Sequence, residues 1–339
     1  MKSDLFSGRR IGSFLIASAV ASILLTGTAG AQENGEGRDN RAKQYEQDGP
    51  AVTVHDVNSR RELNYSKVGA APTAGGTAPL SAITNHGGAT MTTPNVYLIW
   101  HGNWAQSNGT DNAAGQQIVR DFLFGVSNSP YFQINTTYNG PTGLVASGTG
   151  AGHETTVTAA ANSSLSDRQV STIVSNAING GQLPRDSKGV YFVISSSDIN
   201  KSGFCTQYCG WHTYGTLGGT PIKYSWIGNA NRCINSCAAQ AAGPNGNAGV
   251  DGMISVLAHE LEETTTDPQL NAWYDASGAE NGDKCAWTFG QNQTLISATG
   301  AYYNTSLTAI NGSTRNYLIQ RNLSAADNKC YINFVTKAQ

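Results

Sequence analysis

The sequence predicts an α/β domain built on one mixed β-sheet flanked by helices, on three observations. Short apolar runs that read as strands, NVYLIW from Asn95, VYFVIS from Val190 and IKYSWIG from Ile222, alternate with stretches of helical periodicity. The stretch 94–339 is of a size that one hydrophobic core supports. Six cysteines, Cys205, Cys209, Cys233, Cys237, Cys285 and Cys330, make an even set that predicts disulfide stabilisation, with the pairing left open.

The chain begins with the three parts of a secretory signal peptide. Lys2, Arg9 and Arg10 precede an uncharged apolar run from Ile11 to Leu25, and Ala29-Gly30-Ala31 supplies the cleavage pattern. Residues 1–31 are therefore expected to be removed and the mature chain exported, to an extracellular or periplasmic location. That compartment makes disulfides the expected state of the cysteines. Of 21 basic and 23 acidic residues, 18 and 22 remain after the leader, a net charge of −4. A mildly acidic chain without a basic cluster argues against nucleic acid as a partner and against anionic membranes. Residues 32–93 are polar and then rich in Gly, Ala, Thr and Pro, which predicts a disordered linker or pro-segment with a short strand at Ala51–Val54.

From Asn95 the expected elements follow in order. The NVYLIW strand ends at His101, in a position common for site residues. An amphipathic helix over 113–124 carries Ile118, Val119, Phe122 and Leu123 on one stripe. Tyr131–Tyr138 reads as a strand, and the Gly- and Thr-rich stretch 140–161 as loop or irregular strand, with His153 in a solvated loop. Ser164 or Ser166 caps a helix that stops at Gly180-Gly181. The VYFVIS and IKYSWIG strands come next. Further strands are expected near Tyr317–Ile319 and Tyr331–Val335.

Between these, Met253, Ile254, Leu257, Ala258 and Leu261 recur at helical spacing, and Asp267-Pro268 stops that helix. It carries His259-Glu260-Leu261-Glu262-Glu263, of the form HExxE and one residue away from the HExxH helix of zinc peptidases. His259 and Glu263, four residues apart, lie on one face and can point at one ion. In this reading they bind zinc, which accepts imidazole nitrogen and carboxylate oxygen, and Glu260 is the catalytic base. The surroundings would then be zincin-like. The turn GAENGDKC adds Glu280 as third ligand and Asp283 as either a ligand or a partner to a metal-bound histidine. His212, in the Cys205–His212 stretch, is the reserve ligand. The competing reading is a solvated acidic helix face. No G-x-S-x-G elbow, P-loop or dinucleotide glycine pattern is found.

NVYLIWHGNW, the SPYF of Ser129–Phe132, GFCTQYCGWH, KYSWIGNA, the Cys233/Cys237 pair and DGMISVLAHELEETTTDPQLNAWYD together resemble the Exordium, or phosphate-induced protein, family. The likeness spans Asn95 to Cys330. It implies a secreted protein of the kind that plants place in the apoplast in connection with growth, here with a bacterial-style leader. The family pattern falls on His259, Glu260, Glu263, Glu280 and Asp283. This chain has Asp267 where plant members usually have Asn, which offers a further carboxylate. Two classes of function follow. One is a zinc-dependent hydrolase of peptidase type. The other is a non-catalytic wall-associated binding or signalling protein with a structural metal, whose partner is a peptide or a cell-wall polymer.

Overall fold

The computed structural model describes residues 43–45, 52–54, 81–150 and 152–334. The expected signal peptide and most of the expected linker lie outside them. In chain order, β1 (Lys43–Tyr45), β2 (Val52–Val54) and β3 (Thr84–Asn85) precede β4 (Asn95–His101) and α1 (Ala113–Val126). The short β5 (Asn139–Gly140) and β6 (Gly143–Leu144) lead to β7 (Glu154–Val157), α2 (Asp167–Asn179) and β8 (Gly189–Ser195). Then come β9 (Gly210–Leu217), β10 (Thr220–Ile227), the single-turn α3 (Ile234–Cys237) and α4 (Ala248–Thr266). After β11 (Trp273–Tyr274) the described residues continue through three two-stranded ladders made by β12 (Thr294–Ile296) with β13 (Ala301–Tyr303), β14 (Thr305–Thr308) with β15 (Thr314–Tyr317), and β16 (Asn322–Ser324) with β17 (Lys329–Tyr331).

One mixed sheet runs in the order β1-β2-β9-β10-β8-β4-β7. β10, β8, β4 and β7 are mutually parallel, and β9 joins β10 antiparallel. The parallel strands β4 and β8 are buried along almost their whole length, as strands covered on both faces must be. Their helices start and stop for local reasons. Asn112 caps α1 by accepting from the Gly115 N–H, and Ser166 with Gln169 forms a reciprocal capping box on α2. Trp100, Trp226, Tyr191, Phe192 and Phe122 fill the core around the sheet.

The strands expected near Tyr317–Ile319 and Tyr331–Val335 lie earlier, at Thr314–Tyr317 and Lys329–Tyr331, and three segments depart further from the sequence reading. Tyr131–Tyr138 is not a strand: Phe132–Thr137 forms a 3-10 helix, started by Ser129 Oγ accepting from the Phe132 N–H and closed by the Thr136 and Thr137 hydroxyls bonding back to Gln133 and Ile134 carbonyls. Those short-range hydroxyl bonds compete with a strand ladder and win. The segment carrying His212, to which the sequence reading assigns no element, is a strand, β9, and Gly218-Gly219 joins it to β10 with both φ angles positive. Residues 81–93 are also part of the fold. Thr84–Asn85 pairs with Trp273–Tyr274, and Ile83 and Met91 are buried.

All six cysteines are paired. Cys205–Cys233 and Cys209–Cys237 tie the entry to β9 to the turn before α4, and Cys285–Cys330 ties the turn after β11 to β17. A zinc site made of Cys205, Cys209, Cys233 and Cys237 is thereby excluded.

Candidate metal centre

Helix α4 is the element around which the centre is built. Every residue from Gly249 to Thr266 is buried, so it is a core helix enclosed on all sides rather than an amphipathic helix with a wet face. The solvated acidic face is therefore not what the structure shows. Asn247 caps its start, accepting from the Val250 N–H. At the other end Thr264, Thr265 and Thr266 sit in the interior because their hydroxyls donate back to the carbonyls of Glu260, Leu261 and Glu262. Asp267 stops the helix, and its Oδ1 accepts from the Asn271 and Ala272 N–H groups at 2.6 Å each.

β9 lies against α4. Gly210 permits the approach, since a Cβ there would stand 2.6 Å from Val256 Cγ1. Successive strand residues face opposite sides of the sheet. His212 therefore points toward α4 with its register partner Ser225, whereas Tyr224 points to the side where Ser171 of α2 meets it. The third wall is the turn Glu280–Asp283. Asn281 holds it to the helix by donating to the Glu262 carbonyl, and the Asp283 N–H donates to Glu263 Oε1 at 3.0 Å. Gly282 fits here for lack of a side chain. A Cβ would come within 3.0 Å of Glu263 Oε1 and of His259 Cγ.

These three walls bring every proposed ligand together. His259 Nε2 is 2.8 Å from Glu263 Oε1 and 3.7 Å from Asp283 Oδ1. His212 Nε2 is 3.1 Å from Glu280 Oε2 and 3.6 Å from Glu263 Oε2. Two groups of three offer ligand atoms that all lie within 4.8 Å of one another, His212 with Glu260 and Glu263, and His259 with Glu263 and Asp283. His212, the reserve candidate, is thus as central as His259. Glu280 sits beside His212 rather than beside His259.

Burial shapes the charge of the centre. Glu263 is completely buried, and that burial, with Asp267 nearby, pushes its carboxyl up to about 8 against the pull of the Asp283 N–H. Glu280 is raised well above the usual carboxylate range by burial and then by the neighbouring carboxylates. Asp267 is pushed up to about 6 by burial, offset by the Ala272 and Asn271 N–H groups. Its bonds to those backbone groups make it a cap for the following loop, so the extra carboxylate serves the helix end. A divalent cation fits the donor set, because imidazole nitrogens and carboxylate oxygens converge where packed carboxylates otherwise repel.

Two other histidines singled out by position lie elsewhere. His101 is buried at the end of β4, lowered by burial below its ordinary pKa, and His153 lies exposed with its ring stacked near Tyr97. What sequence reasoning missed is structural: Asn281 and Gly282, which seat the turn, and the β9 strand. The Gly218-Gly219 pair between two aromatic, β-branched runs was the available signal for that strand.

Fold and centre define a disulfide-bonded α/β protein whose core helix, together with β9 and the Glu280–Asp283 turn, encloses a cluster of two histidines and four carboxylates. Residues 83–333 match the family model described as "Phosphate-induced protein 1 conserved region". The chain is 30% identical over 285 residues to Protein EXORDIUM-like 3 of Arabidopsis thaliana, covering 72% of this chain and 81% of that one. It is 28% identical over 228 residues to Protein EXORDIUM-like 5 of the same plant, covering 58% of this chain and 61% of the relative. To Protein PHOSPHATE-INDUCED 1 of Nicotiana tabacum it is 32% identical over 105 residues, 25% of this chain and 33% of the relative. The chain belongs to the phosphate-induced protein 1, or Exordium, family. No solved structure matches it, and the zincin-like surroundings expected for the HExxE helix gain no support.

Proposed function

We propose that this chain is an exported, non-catalytic Exordium-type protein in which α4 is held by a buried, structural metal centre. His212, His259, Glu263, Glu280 and Asp283 would hold the ion, and zinc is the metal that the mixed nitrogen and oxygen donors favour. The observation that carries the reading is the closure of the centre around Glu263. His212 and Glu263 are fully buried, and the side chains of His259 and Asp283 are only 4% and 3% exposed. Structural metal sites are closed, whereas catalytic ones keep a position open to substrate. An ion there would supply the positive charge that joins β9, α4 and the Glu280–Asp283 turn. Export agrees with the leader pattern and the three disulfides, and among the described residues no helix is long and apolar enough to cross a membrane. The partner would be a peptide or a cell-wall polymer met on the outer surface.

The peptidase reading assigns Glu260 as a base, yet Glu260 is only 3% exposed, which does not suit a group that must meet a substrate carbonyl. The test compares purified wild type with Glu260→Gln and His259→Ala for bound metal and for hydrolysis of a peptide library. The proposal expects bound metal in wild type, less in His259→Ala, and no turnover in any of the three. Peptide hydrolysis by wild type that disappears in Glu260→Gln would overturn it.

A further inference from the structure

We infer that the centre is dinuclear, two divalent ions bridged by the carboxylate of Glu263. This rests on the reading of the cluster as a metal centre and adds its stoichiometry and its bridge. The first observation is angular. Residues of an α-helix are spaced by about 100°, so His259 and Glu260 lie on either side of Glu263, roughly 40° one way and 60° the other. Glu263 is the one α4 ligand that neighbours both. The second observation is the separation of its two oxygens. Oε1 faces His259 Nε2 at 2.8 Å, and Oε2 faces His212 Nε2 at 3.6 Å, from an opposing strand. Oε2 is fully buried and accepts no hydrogen bond among the described residues, and 3.6 Å is beyond hydrogen-bond reach, so an oxygen inside the core is aimed at an imidazole it does not touch directly. Two ligand groups, His212 with Glu260 and Glu263, and His259 with Glu263 and Asp283, share that single residue. Glu280, 3.1 Å from His212, belongs with the first.

The donor count agrees. One imidazole and carboxylate oxygens on each side, two histidines and four carboxylates in all, is the set that holds pairs of iron or manganese ions in carboxylate-bridged proteins of quite different fold. The charges are compatible as well, since two divalent ions would balance the four carboxylates in their ionised form. The ions expected are first-row divalent metals that accept nitrogen and oxygen together, such as manganese, iron or zinc.

Elemental analysis of the full-length, oxidised protein after equilibration with Mn2+ or with Zn2+ tests this. The expected result is two ions per chain. His212→Gln and His259→Gln should each retain one, and Glu263→Gln should weaken both. The manganese form should show the electron paramagnetic resonance of an exchange-coupled pair in wild type and of an isolated ion in each histidine variant. One ion per chain, lost wholly in either histidine variant, would overturn the bridge and leave a mononuclear centre standing. No bound metal in correctly folded wild type, as judged by circular dichroism, would overturn both.

Discussion

Glu262 and Glu263 are adjacent, both completely buried, and on the same helix, yet they sit in opposite chemical surroundings. Glu262 points toward amides: Asn322 Nδ2 donates to its Oε2 at 2.9 Å and to Asn135 Oδ1 at 3.0 Å. Burial raises it well above the usual carboxylate range, with those amides pulling it down. Burial without a charged partner favours the neutral form of that carboxyl. Glu263 points between two imidazoles and meets further carboxylates instead. The difference teaches that burial alone does not mark a ligand. The neighbours decide: Glu262 is buried with no charged group against it, which favours the neutral acid despite the Asn322 amide, while imidazoles and carboxylates at 3–4 Å suit a cation.

The comparison breaks most visibly at Glu263. Glu263→Ala should abolish metal binding and, as a broken buried ionic cluster, cost about 3–5 kcal/mol. At about 2–4 °C per kcal/mol for a domain of this size, that is a fall in Tm of roughly 10 °C, measured by calorimetry. A variant with unchanged Tm and metal content would make Glu263 no different from its neighbour. Next in size is the Cys285→Ala/Cys330→Ala pair. It should cost about 3–4 kcal/mol by releasing a loop of 45 residues, and should weaken metal binding because Cys285 anchors the turn that holds Asp283. Loss of stability with unaltered metal affinity would separate the disulfide from the centre.

Glu262→Gln sharpens the other half. The folded acid keeps its proton above the unfolded value of about 4.3, so its stabilising contribution is complete below that pH and is lost as pH rises through the folded pKa. The glutamine carries no such dependence. The variant should therefore gain on wild type by up to about 1.4 kcal/mol per pH unit above pH ~4.3, with metal content unchanged. Urea unfolding at pH 5 and 7 reads this directly, and parallel stabilities at the two pH values would contradict a neutral Glu262. Smallest is Ser166→Ala, which removes the α2 capping box on the other face of the sheet. It should cost about 1 kcal/mol by urea unfolding and leave the metal untouched. Metal loss there would show that the centre responds to any destabilisation.

Much of this was legible in the residues. The strands at Asn95, Val190 and Ile222, the helix capped at Ser164 or Ser166 and ending at Gly180, and the shared face of His259 and Glu263 follow from periodicity, caps and spacing, whereas the approach of Glu280 and Asp283 depends on how the following turn folds back. The 3-10 helix over 132–137 was not legible, because its apolar and β-branched content matches a strand and its serine and threonine hydroxyls decide otherwise. Nor was the depth of α4. A periodic pattern shows which positions are apolar, but not that Glu262 and Glu263 find partners inside the core. The equal standing of His212 depends on which strand lies beside α4, a property of sheet order that no local spacing contains.

The central claim is that a buried ion holds α4, β9 and the Glu280–Asp283 turn together. Thermal unfolding of the oxidised protein, as purified, after exhaustive chelation, and after return of Zn2+ tests it most directly. A centre holding metal at 1,000-fold above its Kd stabilises by about 4 kcal/mol. The account predicts a Tm lower by roughly 8–16 °C after chelation and recovered on adding zinc. A Tm unchanged by chelation, in protein that contains no metal to begin with, would contradict it.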